Sequence, residues 1–376
     1  MPLRFVIAAL AAACLATPAL AQEKIKFKAI GQPLATGLVQ KNKEQPFFES
    51  LAQKTGLPIE VDYKPIDTLG VKDTEQLRMM KSGLFEIVSL RVSQNSRDEP
   101  TVLGFDLAGG SPDYATGRQT AKAWFQPLDE RLQKQFGVKL LGIWPFGPQV
   151  LFCKKPITKL ADVKGLKVRV YDQSLAKFIS SLGGTPVALS FPETHQSLSL
   201  GVVDCAITGP SSANSAGWPE VSTHQLAIGF QVALNAYTIT LKAWNQLKPD
   251  QQAKLKAAFD AQTEEVWKYS EELFADAVGC NAGREPCVHH KKFKLAARVG
   301  RGVRPDQSRL LAEVEADGRR RDRHQVGLDS NSEGSRHEPR ATIPGVGLRC
   351  DLPRAVGRRQ RRDAGAKAVQ LLDPGR

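Results

Sequence analysis

The sequence of 376 residues predicts an α/β fold of two lobes, with a ligand cleft between them and a long C-terminal helix. Three observations carry this prediction. From residue 24 onward, short strand-like apolar runs are interleaved with runs of helical period. The same order restarts near residue 150, and a long amphipathic run covers 249–278. Alternating strands and helices favour mostly parallel sheets covered by helices.

The first half of the chain has the pattern of one α/β unit. Strands are predicted at 24–30, 59–63, 85–90 and 138–143, and helices at 46–54, 74–82 and 121–136. Gly31-Gln32-Pro33 ends the first strand and Gly83 ends the second helix, since glycine and proline interrupt regular structure. This order predicts a mostly parallel sheet with helices on its faces.

The second half repeats the pattern. Strands are predicted at 150–153, 166–170 and 202–207, and helices at 174–182 and 192–200. Later strands at 225–228 and 236–241 are expected to return toward the first unit, before the long helix begins at Pro249. Ligands of such sheets bind outside the carboxyl ends of the strands, which places the expected site between the two units.

Residues 1–21 have the features of a cleaved export signal. A positively charged start precedes a short apolar run at 5–16, and an A-x-A cleavage site ends at Ala21. The mature chain is expected to begin at Gln22 and to reside, soluble, in a bacterial periplasm, because the apolar run is too short for an anchor. Cys14 leaves a lipid-anchored alternative open.

The composition changes abruptly near the C-terminus. Residues 298–376 contain 17 Arg but 1 Lys, and they contain no Phe, Trp or Tyr. Such a segment lacks the apolar side chains that drive burial. Three interpretations are open: translation out of frame, native disorder, or a nucleic-acid-binding arm. We favour the frameshift, so the net charge of +13 is not taken as a sign of a nucleic-acid partner.

These observations divide the chain into five predicted segments. They are a signal peptide at 1–21, lobe I at 22–147, lobe II at 148–229, crossing strands and the long helix at 230–293 (with part of 230–290 returning to lobe I), and an aberrant Arg-rich tail at 294–376.

Cysteine usage agrees with export. With Cys14 removed and Cys350 in the tail, four cysteines remain, and an even number in an oxidising compartment suggests two disulfides. Their three possible connectivities stay open; a local bridge between Cys280 and Cys287 and a long-range one between Cys153 and Cys205 are favoured. The adjacent His289 and His290 lack the spacing of a zinc ligand pair, so no metal is expected.

Motifs of common enzyme classes do not occur in this sequence. There is no G-x-S-x-G nucleophile elbow, no G-x-x-x-x-G-K-[ST] phosphate loop, and no G-x-G-x-x-G after the first strand. His195 and His224 lie beside no evident nucleophile. We therefore expect neither an enzyme nor a bound cofactor.

The segment 160–209 carries a family resemblance. It contains Asp162-Val-Lys-Gly-Leu-Lys-Val-Arg169, then Gly184-Thr-Pro-Val187, Phe191-Pro-Glu193 and Gly201-Val-Val-Asp204. In these spaced elements the sequence resembles the DctP-like periplasmic solute-binding proteins of TRAP transporters. The resemblance extends over about 24–287 and is closest over 143–249; it ends near Lys294, where family members continue with further helices.

The resemblance implies a periplasmic binding protein fold that closes on an organic acid, delivered to a TRAP membrane permease. Arg169 matches the family arginine that grips the ligand carboxylate, and a guanidinium suits that role by its bidentate geometry. Phe191 matches an aromatic residue that packs on the ligand. Thr208 stands near a position that is usually Asn. Gln149 stands where sialic-acid-binding members carry a second arginine, so sialic acid is not the expected ligand.

Further site candidates come from strand ends and loops. Arg91 is expected to supply a second positive charge, which suits a dicarboxylate or an acid with another polar end. The remaining candidates are aromatic walls and polar contacts: Trp144, Phe146, Trp218, Tyr237, Gln32, Asn214 and Asn235. A monomer is expected. Two rival functions stay open, an exported enzyme acting on a carboxylate and a sensory ligand-binding subunit.

Overall fold

The computed structural model describes residues 24–298, apart from the side chains of residues 105, 297 and 298. Eleven strands lie in this part of the chain. They are β1 (Ile25–Gly31), β2 (Ile59–Pro65), β3 (Ile87–Leu90), β4 (Val138–Pro148), β5 (Val150–Cys153), β6 (Lys167–Val170), β7 (Thr185–Ala188), β8 (Cys205–Thr208), β9 (His224–Leu226), β10 (Val232–Thr240) and β11 (Ala296–Arg298).

Nine α-helices accompany the strands in the same region. They are α1 (Gln45–Glu49), α2 (Leu51–Thr55), α3 (Gln76–Lys81), α4 (Tyr114–Phe136), α5 (Gln173–Ser181), α6 (Phe191–Ser199), α7 (Pro210–Ser215), α8 (Leu241–Asn245) and α9 (Pro249–Asn281). Shorter 3-10 turns lie at Leu34–Thr36, Ile66–Thr68, Asp73–Glu75, Val92–Asn95, Pro100–Phe105, Leu160–Val163 and Trp218–Glu220, and a π turn at Gln40–Glu44.

The strands form two sheets. Sheet 1 has the order β2-β1-β3-β10-β4, in which β10 runs antiparallel to both of its neighbours and the other described pairs are parallel. Sheet 2 has the order β11-β9-β5-β8-β6-β7 and is mixed, because β5 runs antiparallel to β8 and β9. The predicted two-lobed α/β fold with a long C-terminal helix is confirmed.

Each sheet is covered on both faces. One face of sheet 1 packs Phe27, Trp144 and Tyr237 against helices α1, α2 and α9, and the other face packs against α3 and α4. Sheet 2 buries Val168 and Ile207 with α5 on one face, and Phe152 and Ala206 with α6 on the other. Alternate side chains of a strand point to opposite faces, so each strand contributes to two cores.

The caps of the helices follow from local sequence. Asp113 accepts a hydrogen bond from the Thr116 amide at the start of α4, and Gly137 ends that helix in the left-handed region, with φ of 66°. Asp172 caps α5 through the Leu175 amide. Long α9 starts with Pro249 at its first position, where the missing amide proton is not needed.

Within the described residues the chain passes between the two sheets three times. The first crossing lies between β4 and β5 at Gln149, the second lies between β9 and β10 at residues 227–231, and the third runs from α9 to β11. The first two crossings hydrogen-bond to each other. The Gln149 amide donates to the Gln231 carbonyl over 2.8 Å, and the Phe230 amide donates to the Gln149 carbonyl over 3.0 Å. They therefore form one hydrogen-bonded strip of backbone, the crossing strip.

The expected boundary of the tail at residue 294 needs correction. Leu295 is buried, and β11 pairs in parallel with β9 at the edge of sheet 2. Sheet 2 thus extends at least to residue 298. The predicted signal peptide at 1–21 and the rest of the Arg-rich segment lie outside the described residues. Within 24–298, no helix has the length and apolar character needed to span a bilayer.

Candidate functional site

A cavity lies between the two sheets, beside the crossing strip. It encloses about 390 Å³ of atom-free space, part of it open to solvent. Its lining residues come from both lobes and from the crossing strip: Arg91, Ser93, Gln94, Asp106, Phe146, Gln149, Arg169, Tyr171, Phe191, Thr208, Ser212, Ala233, Leu234 and Asn235. Six of the predicted contacts, together with Phe146, therefore meet in one place.

Arg169 on β6 is the central cation of this cavity. Its side chain is buried, with 1% of the residue exposed. Nε donates to the Leu189 carbonyl over 3.1 Å and Nη1 donates to the Ile207 carbonyl over 2.9 Å. Among the described residues, no carboxylate forms an ion pair with it. Burial, with the nearby charge of Arg91, lowers the pKa of Arg169 to about 9. Its positive charge is thus held by neutral carbonyl dipoles.

Arg91 supplies the second cation from the end of β3. Its Nη1 lies 2.9 Å from Oδ2 of Asp73, and both side chains are less than a tenth exposed. This charge is therefore already compensated within lobe I. The Arg91 guanidinium carbon lies 5.6 Å from the ring centre of Phe146 and 5.9 Å from that of Phe191.

Phe191 stands between the two cations at the start of α6. The guanidinium carbon of Arg169 also lies 5.9 Å from its ring centre. The ring is held in place by stacking on Trp218, with centroids 5.3 Å apart, and Ser190 with Glu193 forms a capping box below it. Cations near an aromatic face are stabilised by the ring quadrupole. The Phe191 ring therefore favours the positive charge of both guanidinium groups, as Tyr171 and Trp218 also do for Arg169.

Three other predicted contacts lie in the cavity wall. Gln149 turns its Nε2 toward the Gly147 carbonyl, 2.8 Å away. Thr208 lies at the end of β8 and is buried. Asn235 on β10 is 4% exposed, and its Nδ2 has no hydrogen-bond partner among the described residues.

A pair of buried acids occupies another part of the cavity region. Asp106 lines the cavity, and Asp172 caps α5 nearby. Gln231 Nε2 bridges them, donating to Asp106 Oδ1 at 2.8 Å and approaching Asp172 Oδ2 at 3.4 Å; it also donates to the Tyr171 hydroxyl at 3.0 Å. Burial and the neighbouring Asp172 raise the pKa of Asp106, and burial raises the pKa of Asp172. The pair therefore retains a proton at higher pH than isolated carboxyls would.

A further buried acid supports lobe I behind Arg91. Glu44 accepts hydrogen bonds from the Gln32 amide over 2.6 Å, the Tyr63 hydroxyl over 3.0 Å, and the Ser89 hydroxyl. Burial raises the pKa of Glu44 to about 7, against the opposing effect of these hydrogen bonds. The acid joins the ends of β1, β2 and β3.

Four predicted contacts, with Trp218, lie outside the cavity lining. Trp144 and Tyr237 pack together in the core of sheet 1, with centroids 5.6 Å apart, because they point to the face covered by α9. Gln32 donates to the Ser89 carbonyl and hydroxyl inside lobe I. Asn214 is fully engaged elsewhere, since its amide bonds Asn281 and the backbone of Lys291.

Seven lining residues were not predicted from the sequence: Ser93, Gln94, Asp106, Tyr171, Ser212, Ala233 and Leu234. Tyr171 carried a usable signal, because it lies two positions after Arg169 and strand alternation places both on one face. Asp106 carried none, since it lies in an irregular segment positioned by distant contacts. The Ala108 amide donates to the Ser174 hydroxyl, and the Gly109 amide donates to the Phe230 carbonyl.

The cysteines pair in the structure as two disulfides. Cys153 bonds Cys205 across the antiparallel pair β5 and β8, where the two residues are in register. Cys280, in the last turn of α9, bonds Cys287 in the segment that follows and closes a local loop. The first bridge lies inside lobe II and the second lies at the C-terminal end of the long helix.

Comparison with known proteins gives consistent matches. Residues 30–279 match the family model of the bacterial extracellular solute-binding proteins, family 7, called DctP. The C4-dicarboxylate-binding periplasmic protein DctP of Rhodobacter capsulatus is 27% identical over 255 residues, which cover 66% of this chain and 75% of that protein.

Two solved structures share the fold. An extracytoplasmic solute receptor of Bordetella pertussis that binds pyroglutamic acid is 20% identical, covers 78% of this chain and 95% of its own, and has a TM-score of 0.64. A TRAP periplasmic solute-binding protein of Pseudomonas aeruginosa with bound L-malate is 19% identical, covers 67% and 88%, and has a TM-score of 0.61. At these identities the likeness concerns the fold.

Proposed function

Because this chain belongs to family 7 of the bacterial extracellular solute-binding proteins, we propose that it captures a small organic acid in the periplasm. It then delivers the acid to the membrane permease of a TRAP transporter. Binding, rather than bond making or breaking, is the activity of such a protein. Residues 1–21 direct the export that this location requires.

The observation that carries the proposal is the state of Arg169. The Arg169 guanidinium is 1% exposed, lines the cavity and has no described carboxylate partner. A buried cation in this state favours the binding of an anion. Burying an uncompensated charge is costly, and a carboxylate that accepts from a guanidinium offsets that cost. A carboxylate ligand supplies the negative charge opposite Arg169 that no described side chain provides.

Closure around the ligand follows from the position of the cavity. Lining residues such as Arg91 belong to lobe I and others such as Arg169 belong to lobe II. A ligand that contacts both lobes favours the closed arrangement by its differential affinity for it. We expect rotation of the lobes to bend the crossing strip, where Gln149 and Gln231 are hydrogen-bonded.

One observation favours a second candidate function, an exported enzyme acting on a carboxylate. The acid pair of Asp106 and Asp172 lies at the cavity with raised pKa values, as a general acid requires. Against it, Asp172 is occupied by the Leu175 amide and Asp106 Oδ1 by Gln231. Product formation from a bound acid would favour this candidate.

Calorimetry with a panel of mono- and dicarboxylates tests the proposal on protein purified from the periplasm. We expect one class of acid to bind, and Arg169→Ala to weaken that binding roughly tenfold or more, because a hydrogen bond to a charged group contributes about 1.5–3 kcal/mol. Arg118→Ala is the matched control, since Arg118 lies on α4 in an exposed pair with Glu264.

Three outcomes would contradict the proposal. They are a folded protein that binds no carboxylate, unchanged affinity in Arg169→Ala, and conversion of the bound acid to a new product detected by NMR. Intact-mass measurement of the same sample checks export, with a mature N-terminus at Gln22 as the expected result.

A further inference from the structure

We propose that Asp106 and Asn235 form a second recognition site in the cavity, which selects acids that carry a hydroxyl or amide group in addition to their carboxylate. The inference rests on the proposed function, because it names the substituents of the acid that Arg169 holds. Both residues line the same cavity as Arg169 and approach it from other elements.

The first observation is an acceptor atom with no described donor. Asp106 is 1% exposed, and its Oδ1 is bonded by Gln231 Nε2. Its Oδ2 is buried and has no donor within hydrogen-bond geometry among residues 24–298, although the Ser93 hydroxyl lies near enough to Asp106 to oppose the rise of its pKa. Buried polar atoms in folded proteins nearly always have a partner, so an orphan in a ligand cavity indicates a ligand group that completes it.

The second observation is a side-chain amide that also lacks a described hydrogen-bond partner. Asn235 Nδ2 is buried without a described partner, on the strand β10, which contributes three consecutive residues to the cavity lining. The cavity thus presents one orphan carboxyl oxygen and one orphan amide nitrogen. A hydroxyl group both donates and accepts, and an amide group offers one atom of each kind, so either satisfies both residues.

The charges around the cavity further restrict which ligands can bind. Asp106, Asp172 and the Tyr171 hydroxyl gather around Gln231, whereas Arg169 and Arg91 carry the positive charge of the cavity. Tyr171 lies between these two groups, since its ring centre is 5.6 Å from the Arg169 guanidinium carbon. The acid pair holds a proton above the ordinary carboxyl range. A neutral hydroxyl or amide fits beside Asp106 in either protonation state, whereas a second ligand carboxylate would add a like charge there. The carboxylates of the ligand therefore belong on the arginine side.

Matched pairs of acids test the inference, each pair differing in one polar group. The probes are L-malate against succinate, lactate against propionate, and pyroglutamate against cyclopentanecarboxylate. We expect the substituted member of a pair to bind roughly tenfold or more tightly, because a site with unpartnered hydrogen-bonding groups rejects the analogue that leaves them unpaired. Calorimetry gives the ratio of the two affinities directly.

Variants test whether Asp106 and Asn235 cause the difference in affinity between the two acids of a pair. Asp106→Leu and Asn235→Leu remove the polar atoms at similar volume and are expected to bring the ratio close to one. Asp106→Asn keeps hydrogen-bonding atoms and is expected to retain most of the preference. Asp260→Asn, an exposed position on α9 paired with Lys256, is the control that keeps the wild-type ratio.

The outcomes separate this inference from the proposed function. Equal affinities within every pair in the wild-type protein, or a wild-type ratio that survives in Asp106→Leu, overturn the inference while carboxylate binding stands. A folded wild-type protein that binds no member of any pair overturns the proposed function and the inference with it. The wild-type ratio decides the matter even where a leucine variant does not fold.

Discussion

The two lobes each bring one arginine to the cavity, but they treat its charge differently. In lobe I, Arg91 is paired with Asp73 at 2.9 Å, and the acid Glu44 lies buried behind it. In lobe II, Arg169 is held by two carbonyls and lacks a described carboxylate partner. A compensated charge is satisfied before any ligand arrives. Lobe II therefore presents a cation with which an anionic ligand can pair, whereas the cation of lobe I is already paired with Asp73.

Lobe II also contains a disulfide that encloses a long loop, and removing this bridge is expected to have the largest effect. Cys153–Cys205 ties β5 to β8 in lobe II across 52 residues, whereas Cys280–Cys287 spans 7. Loop-closure entropy predicts a loss of about 4 kcal/mol for the Cys153→Ala/Cys205→Ala variant and about 2 kcal/mol for Cys280→Ala/Cys287→Ala. Denaturant unfolding measures both. Equal losses in the two variants would show that loop length does not set their contributions.

Glu44 provides the test of the buried acid in lobe I. Its pKa in the folded protein is raised to about 7, so the protonated acid favours folding. That stability is fully present below pH 4.5 and is lost as pH rises toward 7. A rise of the Glu44 pKa from 4.5 to about 7 corresponds to a loss of about 3 kcal/mol.

Glu44→Gln mimics the protonated acid and is expected to remove this part of the pH dependence. The measurement is the free energy of unfolding of both proteins between pH 4.5 and 8. The wild-type protein loses stability relative to the variant as pH rises. A constant difference across that range would mean that Glu44 titrates near its ordinary value.

Arg169→Lys tests the open cation of lobe II without removing its charge. Lysine keeps the positive charge but lacks the planar fork that reaches two carbonyls and a carboxylate together. We expect carboxylate affinity to fall roughly tenfold, mainly because the ligand dissociates faster. Stopped-flow or surface-based kinetics measures it, and wild-type affinity in this variant would show that charge alone suffices.

The same substitution at Arg91 is expected to have the smallest effect. A lysine at this position keeps the ion pair with Asp73, so affinity should fall by roughly threefold or less. Calorimetry of Arg91→Lys and Arg169→Lys with the same acid gives the ratio of their two affinities. A larger loss at Arg91 would reverse the assignment of roles to the two lobes.

The fold was predictable because its signals are local and repeated. Strand alternation and helical period fixed the two α/β units, and the structure confirms them. The helix predicted at 46–54 is two short helices, because the backbone at Ser50 departs from helical geometry, with φ of −100° and ψ of 9°. The strand β7 was missed, since its four residues beginning at Thr185 show no clear alternation.

The cavity lining was predictable most directly where its residues belong to a contiguous motif. Arg169, Phe191 and Thr208 fall within one segment of regular spacing, and the structure brings all three to the cavity. The face on which Asn235 or Tyr237 lies depends on the register of β10, which shifts between Ala233 and Leu234 and again between Tyr237 and Thr238. Such irregularities reverse which side chains face the cleft, and sequence alternation alone does not locate them.

The hydrogen bonds between the first two crossings limit how the lobes can move. Gln149 is bonded on both its amide and its carbonyl to the returning segment, at Gln231 and Phe230. These bonds hold the first two connectors side by side, so we expect them to bend together when the lobes rotate. The third connector is α9, whose last residue Asn281 accepts a hydrogen bond from Asn214 of lobe II over 2.7 Å. Opening of the cleft therefore has to be accommodated both at the crossing strip and at the C-terminal end of α9.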